Sequence, residues 1–428
     1  MKRSFYNLRR VAAILFMAVL AGALYWSVRL AYADFLFRQN RPESVAGAIR
    51  LASLNAEYHL RQAELIARAG GSDAEQEAAL ERAVALNPRD SEVWMELGLR
   101  AEIRGELARA ERCLVEAARV DRTYPPRSTL ANFYFRRGDP EKFWRWTRAA
   151  LQTAPASADM APLFRLCWSW SEGAELILSR AIPERPEVLR QYLSFLLGSG
   201  RLAPARAVAE RMLELATAED VPLLLTYCDR LLEARQAAAA ARLWNAIIGR
   251  GLIGYQTLHP TDGLVLTNGD FRLPPRAQGF DWRLPPVEGV SVSRDIRATA
   301  LHVTFSGKQP EQCELLWQYL PLLAATSYRF GFEYQTAGIA PNTGLRWEIQ
   351  DVSGAPVSLA ASSSLAAENW TAEELTFTTP AKRVAARLVL TYRRAPGTTR
   401  ISGWIALRRV NVKAMSETVS VSRAGVSR

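Results

Sequence analysis

Residues 90–120 read DSEVWMELGLRAEIRGELARAERCLVEAARV, and this stretch decides the fold of the first half of the chain. Asp90 and Ser91 are side chains that cap a helix, and the spacing predicts one from Glu92 to about Arg104. Gly105 permits a tight turn, and a second helix is expected from Leu107 to Val120. Gly98, Ala110 and Ala117 are small enough to let the two helices approach closely, while Trp94, Leu97 and Leu114 fill the space between neighbouring pairs. An offset of 33 residues carries Leu97 and Gly98 to Leu130 and Ala131, Gly105 to Gly138, and Ala110, Leu114 and Ala117 to Phe143, Thr147 and Ala150. Tyr134 joins this second set, and Pro155 closes it. A period of about 34 residues with these types marks stacked helix pairs, which hold partners more often than they do chemistry.

Residues 33–251 resemble a tetratricopeptide-repeat array. The units from Ser91 and up to Pro155 match best. A half-match ends in Ala83-Val84-Ala85-Leu86-Asn87-Pro88, and a later one contains Tyr192, Leu196, Gly200, Ala205 and Ala209. Ala156 to Glu187 departs from the spacing, and Phe143 stands where a small residue is expected, so an irregular solenoid of five or six units with one distorted unit is expected. The resemblance implies a groove lined by the first helix of each pair. Arg100, Asn132, Arg136 and Arg137 are its candidate lining residues, and other envelope proteins its partners.

Upstream, Lys2, Arg3, Arg9 and Arg10 precede an uncharged apolar run from Val11 to Val28. Eighteen residues at helical rise reach about 27 Å, enough for a hydrocarbon core. Tyr25 and Trp26 fall at the interfacial level, and Arg29 follows. Residues 1–10 are thus expected in the cytoplasm, 11–28 across the inner membrane as a signal anchor, and the bulk of the chain on the periplasmic side. The competing reading is a cleaved signal peptide, because Ala31-Tyr32-Ala33 fits the small-x-small cleavage pattern. The length of the apolar run and the position of Arg29 favour the anchor.

After Gly251 the composition shifts to Gly, Pro, Thr and aromatics, and the period changes to two. In Tyr328-Arg329-Phe330-Gly331-Phe332-Glu333-Tyr334-Gln335 every second residue is aromatic. Leu345-Arg346-Trp347-Glu348-Ile349-Gln350 alternates likewise, as do Leu315, Trp317 and Tyr319, and Leu388, Leu390 and Tyr392. Gly and Pro turns separate these strands at β-sandwich spacing. The module opens with Asn268-Gly269-Asp270-Phe271 and Gly279-Phe280-Asp281-Trp282-Arg283 and ends in Trp404-Ile405-Ala406-Leu407 and Val410-Asn411-Val412. In this, residues 262–414 resemble the jelly-roll carbohydrate-binding modules of the galactose-binding-like type. The resemblance implies a polysaccharide ligand and a structural calcium near the two chain ends. Arg272, Arg408 and Arg409 stand where that family has acids, which argues against the calcium and leaves only Asp270 and backbone carbonyls for it. No other cofactor or metal is expected.

The aromatic faces of these strands are read as core. Their polar faces supply the candidate ligand set: Arg329, Glu333, Gln335, Arg346, Glu348 and Gln350, taken as one patch on adjacent strands, with Trp282 and Trp370 in loop settings. Glu333 and Glu348 could make the carboxylate pair that a glycan-active enzyme requires, a lesser alternative, because they sit among Arg and Gln, which suits ion pairing at least as well. Cys113, Cys167, Cys228 and Cys313 lack metal or redox spacing, and His59, His259 and His302 are scattered. A net charge of +11 spread over helix-like stretches, with no reader motif, argues against nucleic acid. Residues 415–428 are patternless and expected to be disordered. The layout is therefore multidomain α + β, with a transmembrane helix, an α-solenoid of degenerate helix pairs and an antiparallel β-sandwich of jelly-roll type. It resembles tetratricopeptide-repeat proteins of bacterial exopolysaccharide gene clusters, which implies a non-enzymatic envelope scaffold supporting glycan assembly or export. The rival is a purely structural scaffold whose sandwich binds nothing.

Overall fold

A computed structural model of the protein describes residues 2–382 and 385–415, without side-chain detail for 2–10. The expected tail lies outside these residues from 416 onward. Its first member, Met415, still donates its backbone N–H to the Ser327 carbonyl at 2.8 Å. The chain divides into two compact units, residues 1–188 and 189–428.

The first unit is helical. α1 (Lys2–Arg38) and α2 (Pro42–Leu51) are followed by α3 (Ala56–Arg68), α4 (Asp73–Leu86), α5 (Ser91–Ile103), α6 (Leu107–Val120), α7 (Tyr124–Arg137), α8 (Pro140–Thr153), α9 (Ala161–Trp170) and α10 (Ala174–Arg180). Neighbours α1 and α2, α3 and α4, α5 and α6, and α7 and α8 pack as pairs. The local signals act as the sequence demands. Asp90 accepts hydrogen bonds from the Glu92 and Val93 N–H groups, and Asp139 caps α8 through the Lys142 N–H; caps of this kind contribute about 1 kcal/mol each. Gly105 and Gly138 take φ values of 79° and 68° at the turns. A Cβ on Gly98 would lie 2.7 Å from Leu114 Cγ, so the tight α5–α6 contact requires glycine there.

The irregular stretch at 156–187 is a shortened helix pair, α9 and the 7-residue α10. Phe143 fits despite its size because aromatic partners surround it. Trp170 stacks on it at 5.2 Å, and Phe135 and Trp144 lie 5.6 and 4.8 Å away.

The second unit joins helices to the sandwich. α11 (Pro186–Gly198) crosses its boundary, and α12 (Leu202–Leu215), α13 (Val221–Glu233) and α14 (Ala237–Gly249) follow. The strands are β1 (Val290–Asp295), β2 (Ala300–Ser306), β3 (Gln312–Leu320), β4 (Ser327–Ala337), β5 (Leu345–Asp351), β6 (Val357–Ala361), β7 (Thr371–Thr378), β8 (Ala386–Arg393) and β9 (Ser402–Ala414). They form a five-stranded sheet, β1-β2-β9-β4-β7, and a four-stranded sheet, β3-β8-β5-β6, antiparallel throughout. Tyr328, Phe330, Phe332, Tyr334, Trp347, Ile349, Leu388, Leu390 and Tyr392 are buried between the sheets, as the alternation requires.

One strand corrects the sequence reading. The β3–β8 register slips between Glu314 and Leu316. Beyond this bulge Leu316, Gln318 and Leu320 turn inward, and Trp317 and Tyr319 turn out.

Helices and sandwich meet around Trp244. Its ring lies 5.2 Å from Tyr255 and 6.1 Å from Phe280. Gly279 sits at φ +57°, where a Cβ would come within 2.5 Å of that indole. Asp229 of α13 accepts the Gly279 N–H at 2.8 Å and pairs with Arg283 at 2.5 Å. Arg283 in turn lies over the rings of Trp317 and Tyr319, at 4.7 and 5.1 Å. The outward aromatics of β3 are thereby tied to α13. Burial pushes the Asp229 carboxyl above its ordinary value, with Arg283 opposing.

Candidate functional site

The six polar strand residues do not form one patch. β4 and β5 belong to different sheets, so Arg329, Glu333 and Gln335 face outward on one side of the sandwich and Arg346, Glu348 and Gln350 on the other. The aromatic core lies between them, and Glu333 and Glu348 cannot act as a carboxylate pair. Consecutive strands that cross between sheets share an alternation without sharing a face.

On the four-stranded side the polar residues satisfy one another. Arg346 donates to Glu348 Oε1 at 2.6 and 2.8 Å, Gln350 Nε2 donates to Glu348 Oε2 at 2.9 Å, and Arg387 bridges Gln350 and Glu314 at 2.9 and 2.8 Å. Burial drives the Glu348 carboxyl up, but the hydrogen bonds from Gln350 and Arg346 outweigh it and hold it below its ordinary value. Arg387 also lies 4.8 Å over Trp317, which therefore has a guanidinium from each of two arginines on it. This face is a mutually hydrogen-bonded network.

The five-stranded side differs. Inward Ile405 and Leu407 turn Trp404 and Arg408 out. Trp404 is half-buried beside His302, 5.5 Å between ring centroids, and across from Ala337. Gln335 stands opposite Ala406, and its Nε2 donates to the Glu368 carbonyl at 2.8 Å. Beyond it Glu333 accepts from Arg408 and Arg409, each at 2.7 Å, and Arg408 covers the half-buried Trp370 at 3.9 Å. Burial raises the Glu333 carboxyl, and the two arginine hydrogen bonds outweigh it and lower it overall. Arg329, the last of the three, is exposed and approaches Glu374 at 3.8 Å. The result is a row of Trp404, Gln335, Glu333–Arg408 and Trp370: two partly open indoles flanking planar polar groups. Trp404 and His302 escaped the sequence reading, although the inward pair Ile405 and Leu407 already implies an outward Trp404.

Trp282 is not a ligand residue. It is fully buried, 6.0 Å from Trp347, and its Nε1 donates to the Asn268 carbonyl at 3.0 Å. The opening motif is likewise structural: the Gly269 carbonyl accepts the Val410 N–H at 2.9 Å, and a Cβ on Gly269 would lie 1.8 Å from the Val410 oxygen.

The residues near the module's ends do not fit a structural calcium. Asp270 is paired with Arg272 at 2.8 Å. Asp281 is fully buried, accepts from Tyr255 Oη at 2.8 Å and from the Arg276 N–H and Asn268 Nδ2, and has its carboxyl pushed up by that burial. Among the described residues no cluster of three or more His, Cys, Asp and Glu side chains comes together.

In the first unit, Arg100 is spent on Glu96, Asp73 and Gln76, and Arg136 pairs through two nitrogens with Glu102. Asn132 and Arg137 are exposed. Cys113 and Cys167 of this unit and Cys228 of the second are buried, and desolvation raises all three thiols, Cys167 to about 12, which makes them inert.

No family model and no curated protein sequence matches this chain. Among solved structures it is similar to one described as "CBM4 structure and function", at 16% identity over 32% of this chain and 88% of the other, with a TM-score of 0.26. YrrB, described as a TPR protein with an unusual peptide-binding site, is 12% identical over 49% and 93%, with a TM-score of 0.25. PilW, described as a widely conserved type IV pilus biogenesis factor, is 14% identical over 54% and 95%, also at 0.25.

Proposed function

We propose that the protein is a membrane-anchored, non-enzymatic envelope scaffold that holds a glycan on the outer face of its five-stranded sheet and protein partners on its helix pairs. The observation that carries the glycan half is the row from Trp404 through Gln335 to Trp370. The apolar face of a pyranose packs on an indole, and its hydroxyls need planar amide and carboxylate partners. The polymer proposed is an exopolysaccharide or other surface glycan, following the layout of the sequence.

The anchor reading is supported by α1. It is the one helix among the described residues long and apolar enough to cross a membrane, from Val11 to Arg38. Every residue from Val11 to Val28 is exposed, whereas Ala33 is fully buried and packed with Ala48 and Tyr58. Arg29 Nε donates to the Leu51 carbonyl at 2.8 Å, and Phe37 lies 4.8 Å from Tyr58. Cleavage after Ala33 would cut a helix whose end is already part of the packed array. The basic flank then keeps residues 1–10 in the cytoplasm and the rest on the periplasmic side of the inner membrane. Mass spectrometry of the mature amino terminus checks this, with a chain beginning at Asp34 as the contrary result.

A purely structural role for the sandwich is favoured by one specific observation, the Asp229–Arg283 tie to α13, but it accounts only for the four-stranded side. The discriminating experiment is a glycan array probed with the full chain in nanodiscs. Retention of at least one polysaccharide by wild type and its loss on Trp404→Ala with Trp370→Ala is expected. Folded protein retaining none leaves the structural reading.

A further inference from the structure

Halfway along β9 the sheet changes neighbours. β2 pairs with β9 only as far as Leu301 opposite Leu407. Beyond that point residues 263–270 run alongside, with Gly269 against Val410 and Gly263 against Ala414. The exchange opens a cleft of about 490 Å³. Its lining includes Leu264, Asp270, Arg272, Arg409, Asn411 and Lys413. Three cations thus face one carboxylate.

Their availability differs from that of Arg283 and Arg387, whose side chains are 13% and 14% exposed. Arg272 spends one nitrogen on Asp270, and its side chain remains 73% exposed. Arg409 spends NH1 on Glu333 and remains 70% exposed. It sits at φ +52° beside the β4–β9 bulge, a backbone position that re-aims a side chain out of the strand's regular alternation. Lys413 is exposed and makes no ion pair among the described residues. Leu264, 46% exposed, adds an apolar surface beside them.

We propose that this cleft binds the carboxylates of an acidic polysaccharide, extending the glycan row described above; the inference rests on that glycan reading and names its substrate class. Guanidinium forks match carboxylates in plane and spacing, and Leu264 offers a surface for the sugar ring. The cleft and the aromatic row share β9. Trp404 and Lys413 are nine residues apart, about 30 Å along an extended strand, a span for an oligosaccharide rather than a single sugar.

The test compares two probes on the full chain in phosphatidylcholine nanodiscs: a hexamer of galacturonate and its methyl ester, which shares the backbone and lacks the charge. Wild type should bind the acid form roughly tenfold tighter at low ionic strength, with the preference shrinking at high salt because exposed charges are screened. Arg272→Gln with Lys413→Gln should abolish the preference while leaving ester binding and the melting temperature unchanged. Equal affinity for the two hexamers in wild type overturns the acidic-ligand inference and leaves the glycan row standing, as does a preference that survives the double variant. Binding of neither hexamer overturns this inference, and the glycan array described above then decides the glycan reading separately.

Discussion

The two outer faces of the sandwich carry similar residues and use them oppositely. On the four-stranded side, Trp317 lies under Arg283 and Arg387, and the surrounding Glu314, Glu348 and Gln350 are hydrogen-bonded to one another or to arginine. On the five-stranded side, Trp404 has the tilted ring of His302 beside it and no guanidinium over it among the described residues, and Gln335 donates to a loop carbonyl. An outward aromatic on a strand is therefore not by itself a binding signal. What separates Trp317 from Trp404 is that two guanidiniums from other elements already lie over the former, and Trp370, with Arg408 alone over it among the described residues, stands between the two.

Single substitutions test that contrast. The largest expected effect is on the structural side. Asp229→Ala should cost about 3 kcal/mol, because it strands the partly buried Arg283 and the Gly279 N–H; thermal unfolding of the full chain measures it. Trp317→Ala should cost about 2 kcal/mol by removing the ring that both arginines cover, and should leave glycan affinity unchanged. Trp404→Ala inverts this pattern, with stability altered by about 1 kcal/mol or less and glycan affinity falling at least about tenfold in titration calorimetry.

The smallest effect concerns pH. Glu348 is held below its ordinary value of 4.5, so its network adds stability above that pH and loses it as the pH falls through the depressed value. Glu348→Gln should lower stability modestly at pH 7, where the carboxylate network is intact, and flatten the acid limb below about pH 4.5, so that the two curves converge in acid. An unchanged acid limb would mean that other carboxylates control it.

Much of the fold was legible because its signals are local. Asp90, Gly98, Gly105 and Gly138 each act within a turn or a helix pair, and the aromatic alternation of β4 marks the core directly. The site was less legible because it depends on long-range facts. Alternation assigns a residue to a face but not to a sheet, so β4 and β5 read as one patch. The bulge after Glu314 leaves no trace in composition, yet it reverses Trp317 and Tyr319. Trp282 lies in a segment without strand pattern and is nonetheless core, held by the Asn268 carbonyl. The spent arginines became visible only with their partners, Asp229 lying 54 residues from Arg283 and Glu314 73 from Arg387.

The most direct test of the central claim is paired titration of wild type, Trp404→Ala and Trp317→Ala full-length protein with a polysaccharide that wild type retains. The account predicts that binding is lost with Trp404 and kept with Trp317. Loss with Trp317 and retention with Trp404, in folded protein, would place the ligand on the opposite sheet and contradict it.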